Sequence, residues 1–297
     1  MTKITLLGDI MLGRSFNEIS PNKEWINSDL KEFIRDSDLI VGNLETTITT
    51  SNKKWPNKVF NFKANPIGFE KRIREICENK ICFLSLANNH SLDYSEEGLL
   101  DTMNTLDNLN IYYGGTINLN PIILKIKDRY IIIFAASDHP KDFGLYIEQN
   151  FDKLNNNIRF YRFKYPNALI IVSVHWGPNY TPEPTLFMKT LGHLLIDNGA
   201  NIIHGTSPHH LLSMENYRNG LIVYSMGDFI DDYAIDDNYR NDLSAVLKLI
   251  IDDNNNIFIE IYPTKISHLS VGPSLNQKEY QYSIDLLTNK IAPGFGV

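Results

Sequence analysis

The chain of 297 residues is poor in cysteine, in net positive charge and in long apolar runs. Its two cysteines, Cys77 and Cys82, suggest neither a disulfide framework nor a thiolate zinc site, and are expected as buried, reduced thiols. With 35 acidic against 28 basic residues the formal charge is -7, which argues against a nucleic-acid partner, since such binders present a clustered positive face. No apolar stretch reaches the roughly 18 residues of a membrane span. Met1–Gly8 has neither the length nor the small-residue pattern of a signal peptide. A cytoplasmic place is therefore expected for the chain as given, with an extracytoplasmic one open if a leader has been removed. Linkers, repeats and single-sign charge blocks are missing too, so one domain over residues 1–297 is expected.

What the chain does have is an ordinary globular composition, 43% hydrophobic and 21% charged. Aliphatic and β-branched runs at Ile4–Leu7, Leu39–Val41, Ile81–Leu86, Ile131–Ala135, Ala168–Val174, Asn201–Ile203 and Leu221–Tyr224 read as buried strands. Helical patterns at Pro66–Cys77, Ser95–Leu109 and Glu183–Asn198 fall between them. Strand alternating with helix is the grammar of an α/β fold. Near the end, Leu243–Ile251 and Ile257–Tyr262 flank the turn-rich Asp252–Asn256 as a hairpin, and Tyr280–Ile291 reads as a closing helix.

Ligands of α/β sheets bind beyond the carboxyl ends of strands, so polar residues that follow apolar runs are the natural candidates. Five such places occur: Gly8-Asp9, Gly42-Asn43-Leu44-Glu45, Ala87-Asn88-Asn89-His90, His175-Trp176-Gly177, and His204 through His210. Taken singly, each has an ordinary role as a turn residue or a packed imidazole. Jointly, two carboxylates, an amide and several imidazoles without thiolates suit zinc, manganese or iron(II), and are numerous enough for two ions. His139, which also ends a strand, reads as a turn residue beside Pro140, with metal ligation the alternative. Asp228, leading into Asp231-Asp232, reads either as a group that orients an imidazole or as a solvated acidic loop.

The motifs Gly8-Asp9-Ile10-Met11-Leu12-Gly13-Arg14, Gly42 to Glu45, Ser85 to Tyr94, His175-Trp176-Gly177 and Gly227-Asp228-Phe229 together resemble the bacterial capsule-synthesis CapA (poly-γ-glutamate biosynthesis) family. That family is a branch of the calcineurin-like metallophosphoesterases, and the resemblance runs from about Thr2 to about Pro273. It implies a four-layer α/β/β/α sandwich with a dinuclear centre of Mn, Zn or Fe. In it Asp9, Glu45, Asn89, His175 and His209 would be metal ligands, with His204 a further candidate, and His90 would serve the leaving group. This chain departs from the pattern at Met11, where the wider superfamily has a His. It departs again at Thr206 and Ser207, near which the branch usually offers another His.

The resemblance implies a metal-dependent hydrolase of a phosphoester or polymer bond, linked to capsule or poly-γ-glutamate synthesis. Its substrate would be anionic; Arg14, whose planar fork fits phosphate and carboxylate alike, reads either as the group that neutralises it or as a surface arginine. The alternative is a non-catalytic accessory component that binds an anionic polymer or a synthase partner. Metal-assisted hydrolysis of an amide polymer is a third reading. Loops Ile19–Asn27, Ser51–Asn65 and Ser137–Phe151 carry Trp25, Trp55, Phe60, Phe62, Phe143 and Tyr146, aromatics that could wall a binding site.

Overall fold

Buried aliphatic runs form the strands of this chain, and asparagine- or threonine-led segments form most of its helices. The computed structural model describes residues 1–56, 58–116, 120–139 and 150–289. The chain begins with β1 (Thr2–Ile10), a 3-10 turn (Arg14–Asn17), α1 (Ser28–Arg35), β2 (Leu39–Leu44), β3 (Thr47–Ile48), β4 (Lys63–Ala64) and α2 (Pro66–Cys77). Next come β5 (Ile81–Ser85), α3 (Ser95–Asn108), β6 (Tyr112–Gly114), β7 (Ile122–Ile126), β8 (Arg129–Ser137), α4 (Phe151–Lys164) and β9 (Leu169–His175). They are followed by α5 (Leu186–Asp197), β10 (Ile202–Thr206), β11 (Leu211–Tyr217), β12 (Gly220–Met226) and β13 (Asp228–Ile230). The last elements are β14 (Leu243–Ile251), β15 (Ile257–Ser267), β16 (Ser270–Pro273) and α6 (Gln277–Thr288).

One sheet has the order β16-β15-β14-β1-β2-β5-β6, with β13 pairing the end of β1; the other has the order β11-β12-β10-β9-β8-β7. Neighbours among β1, β2, β5 and β6 run parallel, as do β8, β9, β10 and β12. Both faces of these strands are covered, which is why they read as continuous apolar runs rather than alternating ones. Ile4, Leu6, Val41 and Phe83 of the first sheet pack against Ile131, Ile133, Ile171 and Ile202 of the second. The outer face of the first sheet, at Leu7, Ile40 and Leu84, is covered by Ile34, Phe69, Ile73 and Leu99 of the helices. On the far side Ile132, Ile170 and Ile203 meet Leu154, Ile158, Leu191 and Leu195. The architecture is thus the four-layer α/β/β/α sandwich.

Side-chain caps set several helix boundaries. Asn65 accepts from the backbone N–H groups of Ile67 and Gly68, with Pro66 opening α2 where its missing N–H costs nothing. Thr185 starts α5 and Asn276 starts α6 in the same way, so α5 begins three residues later and α6 three residues earlier than the hydrophobic pattern suggests. Residues 290–297, including the expected helix end at Ile291, lie outside the described residues. Helices α1 and α4 carry only weak sequence signals: one is eight residues long, the other contains Asn155-Asn156-Asn157. The hairpin forms as expected, with Asp252 accepting from the N–H groups of Asn254 and Asn256 across its turn. No helix among the described residues is long and apolar enough to cross a membrane.

The cysteines differ from expectation. Cys77 closes α2 and Cys82 lies in β5; the intervening turn brings their Cα atoms to 5.8 Å, and the two are joined as a disulfide. That separation is within the range a disulfide spans, so a spacing of five residues was no obstacle once helix and strand folded back on each other.

One glycine fixes where the two sheets present their polar ends. A Cβ on Gly8 would stand 2.0 Å from the Gly227 carbonyl oxygen, which accepts from the Asp9 N–H at 3.0 Å. Gly227 itself has φ +65°, a conformation glycine adopts without penalty. This close approach sets Asp9 directly beside Asp228 in the β1–β13 pairing. Gly8→Ala is expected to cost about 1–3 kcal/mol or more, as forced overpacking does; an unchanged urea midpoint would contradict the packing described.

Candidate metal centre

Parallel strands deliver their last residues to one edge, and here both sheets deliver polar ones. Asp9, next to last in β1, stands beside Asn43 of β2, and Glu45 follows β2 directly. Asn88, Asn89 and His90 follow β5, His175 ends β9, and Thr206 through His209 follow from β10. Asp9, Glu45, His175 and His209 are all buried and lie together. One donor atom each from Asp9, Glu45 and His175 lies within 4.8 Å of the other two; the same holds for Asp9, His209 and Asp228. Asp9 is common to both groups. Glu45 faces both sides as well: its Oε1 lies 3.7 Å from His175 Nε2, 3.7 Å from His90 Nε2 and 4.0 Å from His209 Nε2.

The remaining partners orient these groups. Asn43 Nδ2 donates to Asp9 Oδ1 at 2.7 Å and lies 3.2 Å from His175 Nδ1, while the Ser207 N–H donates to Asp9 Oδ2 at 3.2 Å. Thr206, in place of an expected imidazole, sets its Oγ1 3.0 Å from His175 Nδ1. The hydroxyl therefore positions a ligand candidate. Asn89 Oδ1 sits 3.0 Å from His175 Nε2, two donor atoms side by side. His209 Nδ1 gives its proton to Asp228 Oδ1 at 2.9 Å, the orienting role that was one of two readings of Asp228. Met11 is a buried apolar residue.

His90 is held by its own loop. Its Nδ1 donates to Asp93 Oδ2 at 2.6 Å, and its ring stacks on Phe62 with centroids 3.9 Å apart. Lys58 contacts Asp93 Oδ1 and the Asn89 carbonyl, and the Phe62 N–H donates to Asp93 Oδ2 at 2.5 Å. Arg14 stands outside this stack, its guanidinium over the Phe62 and Tyr233 rings at 5.3 and 5.7 Å and its Nε 3.3 Å from Asp232. It lies at the rim rather than in the buried cluster. Of the loop aromatics, Phe62 reaches the site, Trp25 is in the core and Phe60 is exposed; Phe143 and Tyr146 lie outside the described residues.

His204 is not brought to this cluster. Its Nε2 donates to the Leu7 carbonyl at 2.8 Å and its Nδ1 lies 3.0 Å from Ser173 Oγ, so it ties one sheet to the other. Thr206 lies two positions further along β10 on the same face, so His204 stands about 7 Å back from the strand end. The groups that residue-by-residue reading passed over are Asn43, Lys58 and Asp93. Asn43 sits inside a quoted motif, and Asp93 follows His90 by three residues in another, so proximity to recognised positions was the available signal.

The electrostatics are unbalanced. Burial raises Glu45 well above the usual carboxylate range, and the charges of Asp9 and Asp228 add to the shift. Burial raises Asp228 strongly too, with Asp9 again contributing, and raises Asp231 beside it. Asp9 is raised by burial against the pull of His209 and the Asn43 hydrogen bond. Both Glu45 oxygens and Asp228 Oδ2 are buried without a hydrogen-bond partner among the described residues. A buried carboxylate with unused lone pairs requires a proton or a cation. Oxygen and imidazole donors converging on such atoms fit a divalent ion.

Similarity to known proteins agrees with this geometry. Residues 3–233 match the family described as bacterial capsule synthesis protein PGA_cap. The chain belongs to the bacterial capsule synthesis family. It is 28% identical to the capsule biosynthesis protein CapA of Bacillus anthracis, over 91% of this chain and 69% of that protein. It is 26% identical to the PGA biosynthesis protein CapA of Bacillus subtilis, over 92% and 75%. Among solved structures, a novel phosphatase from Mycoplasma pneumoniae superposes with a TM-score of 0.58 at 13% identity, over 89% of this chain and 94% of that one. A hypothetical protein from Thermus thermophilus gives 0.56 at 10% identity, over 89% and 100%. These likenesses show the fold alone.

For this capsule-synthesis family member, His204 yields a pH test. Burial holds its imidazole down to about 4 against an ordinary 6.5. Above pH 6.5 it is neutral folded or unfolded and its contribution is complete; as pH falls from 6.5 toward 4 the unfolded chain takes the proton first and stability drops. The full difference amounts to about 3 kcal/mol. Unfolding free energies compared at about pH 7 and about pH 4.5 should differ less in His204→Gln than in the parent; equal pH dependence would show that His204 is not the buried neutral bridge.

Proposed function

We propose that this chain is a metal-dependent hydrolase of the phosphoesterase type, acting on an anionic substrate or polymer in capsule or poly-γ-glutamate synthesis. The observation that carries the proposal is the Glu45 carboxylate, both of whose oxygens are buried among three imidazoles and a second carboxylate with no hydrogen-bond partner among the described residues. Two divalent ions, of Mn, Zn or Fe, would be held by Asp9 and His209 on one side and by Asn89 and His175 on the other, with Glu45 between. Such ions would supply a nucleophile active near neutral pH and Lewis-acid stabilisation of the oxygens of an in-line displacement.

The protein's own part is to place protons and charge. With its Nδ1 proton committed to Asp93, a neutral His90 presents a bare Nε2 to the cluster. Burial keeps that imidazole down at about 4, against the pull of Asp93. An anionic substrate beside Nε2 favours its protonation, and this is the proton a leaving oxygen needs. Arg14, half-exposed at the rim, would pair with a further anionic group of the substrate. The names of the Bacillus relatives support a place in capsule or poly-γ-glutamate synthesis. A second reading, a binding component without turnover, is favoured by a 24% identical relative from Mycobacterium tuberculosis named a probable polyglutamine synthesis accessory protein.

The two readings separate on hydrolysis of an aryl phosphate with added manganese or zinc. Metal-stimulated turnover is expected, falling about 10²–10⁴-fold in kcat for His90→Ala while bound metal is retained. Glu45→Gln should lose metal and turnover together. Turnover unchanged by His90→Ala would remove that residue from the chemistry, and no stimulation by any divalent ion would favour the binding component.

A further inference from the structure

A further imidazole stands beside the centre with no role in the reading above. Ser137, the last residue of β8, pairs with His175 at the end of β9, and His139 follows two residues later on the same rim. The His139 N–H turns back to Ser137 Oγ at 3.1 Å, and its ring centre lies 5.1 Å from that of His175.

Proton accounting fixes which ring nitrogen is available. Ser207 Oγ donates to the Gly177 carbonyl at 3.2 Å, and a hydroxyl has one proton to give. Ser207 Oγ can therefore only accept in its 3.1 Å contact with His139 Nε2, so Nε2 carries the proton. A neutral imidazole with its proton on Nε2 keeps Nδ1 bare. An imidazole that gives one N–H to an oxygen partner and keeps the other nitrogen bare has the arrangement of a metal-ligating histidine. Spacing agrees as well: with metal–nitrogen bonds of about 2.0–2.1 Å, two imidazoles sharing one ion at a near-tetrahedral angle have ring centres about 5 Å apart.

We propose that His139 is an additional ligand of the metal centre, offering Nδ1 to the ion on the His175 side. The proposal rests on the metal-centre reading and adds a residue to it. Ser207, whose N–H holds Asp9 and whose hydroxyl holds His139, then ties the two sides together. Thr206 and Ser207 act by orienting His175, Asp9 and His139, while the nitrogen comes from the neighbouring strand end.

Calorimetric titration of the metal-free full chain with zinc, together with the absorption spectrum of the cobalt(II) form, tests this. The parent chain should take up two ions. His139→Ala and the smaller change His139→Asn should weaken one of the two by more than about tenfold, since loss of a residue that merely orients a ligand already costs about 10–100-fold. Both should also alter the cobalt spectrum, with circular dichroism unchanged. Ser207→Ala should retain both ions and weaken the same one. Two ions bound with parental affinity and an unaltered spectrum in a folded His139 variant would overturn the role of His139 alone. A parent chain that takes up no ion would overturn the metal-centre reading and this proposal together.

Discussion

The interior of this protein holds more negative charge than its own hydrogen bonds offset. Asp9, Glu45, Asp228 and Asp231 are buried at one edge of the sandwich, and two oxygens of Glu45 with one each of Asp228 and Asp231 have no hydrogen-bond partner among the described residues. Removing a carboxylate from water costs several kcal/mol even after relaxation. Asp9 alone is well provided for, by the Asn43 amide and the Ser207 N–H. Around the others, imidazoles and the Asn89 amide oxygen are at hand to share a cation. A fold does not retain such an arrangement for stability, because well-packed apolar residues would serve better.

The surroundings are built to hold that cluster still. Each imidazole at the centre has one nitrogen committed outward: His209 to Asp228, His90 to Asp93, and His175 through Nδ1 toward Thr206 and Asn43. Those commitments select which nitrogen faces inward, so the donor set is prepared by its neighbours rather than by the candidate ligands themselves. The strands add rigidity. Asp9, Asn43 and His175 are still within strands whose pairing fixes their direction, and the absence of a side chain at Gly8 lets β13 come close enough to bring Asp228 into the set.

Much of this was legible in the sequence, for a definite reason. Parallel strands buried on both faces leave unmistakable apolar runs, and a polar residue directly after such a run marks the edge where ligands bind. Asp9, Glu45, Asn89, His175 and His209 follow that rule and converge across two hundred residues. His204 obeys the same spacing but sits within its strand, and only the third dimension shows that it faces Leu7 of the other sheet. The disulfide between Cys77 and Cys82 was hidden because it depends on where a helix ends and the next strand begins. The contact of His139 with Ser207 spans 68 positions that no local pattern connects.

Crystals grown with manganese and measured by anomalous diffraction at its absorption edge bear most directly on the uncompensated charge at Glu45. Two peaks about 3.5–4 Å apart are predicted on either side of its carboxylate, one toward Asp9 and His209 and the other toward Asn89 and His175. A map without a peak there, with the Glu45 carboxyl protonated and donating to a neighbour, would contradict the account.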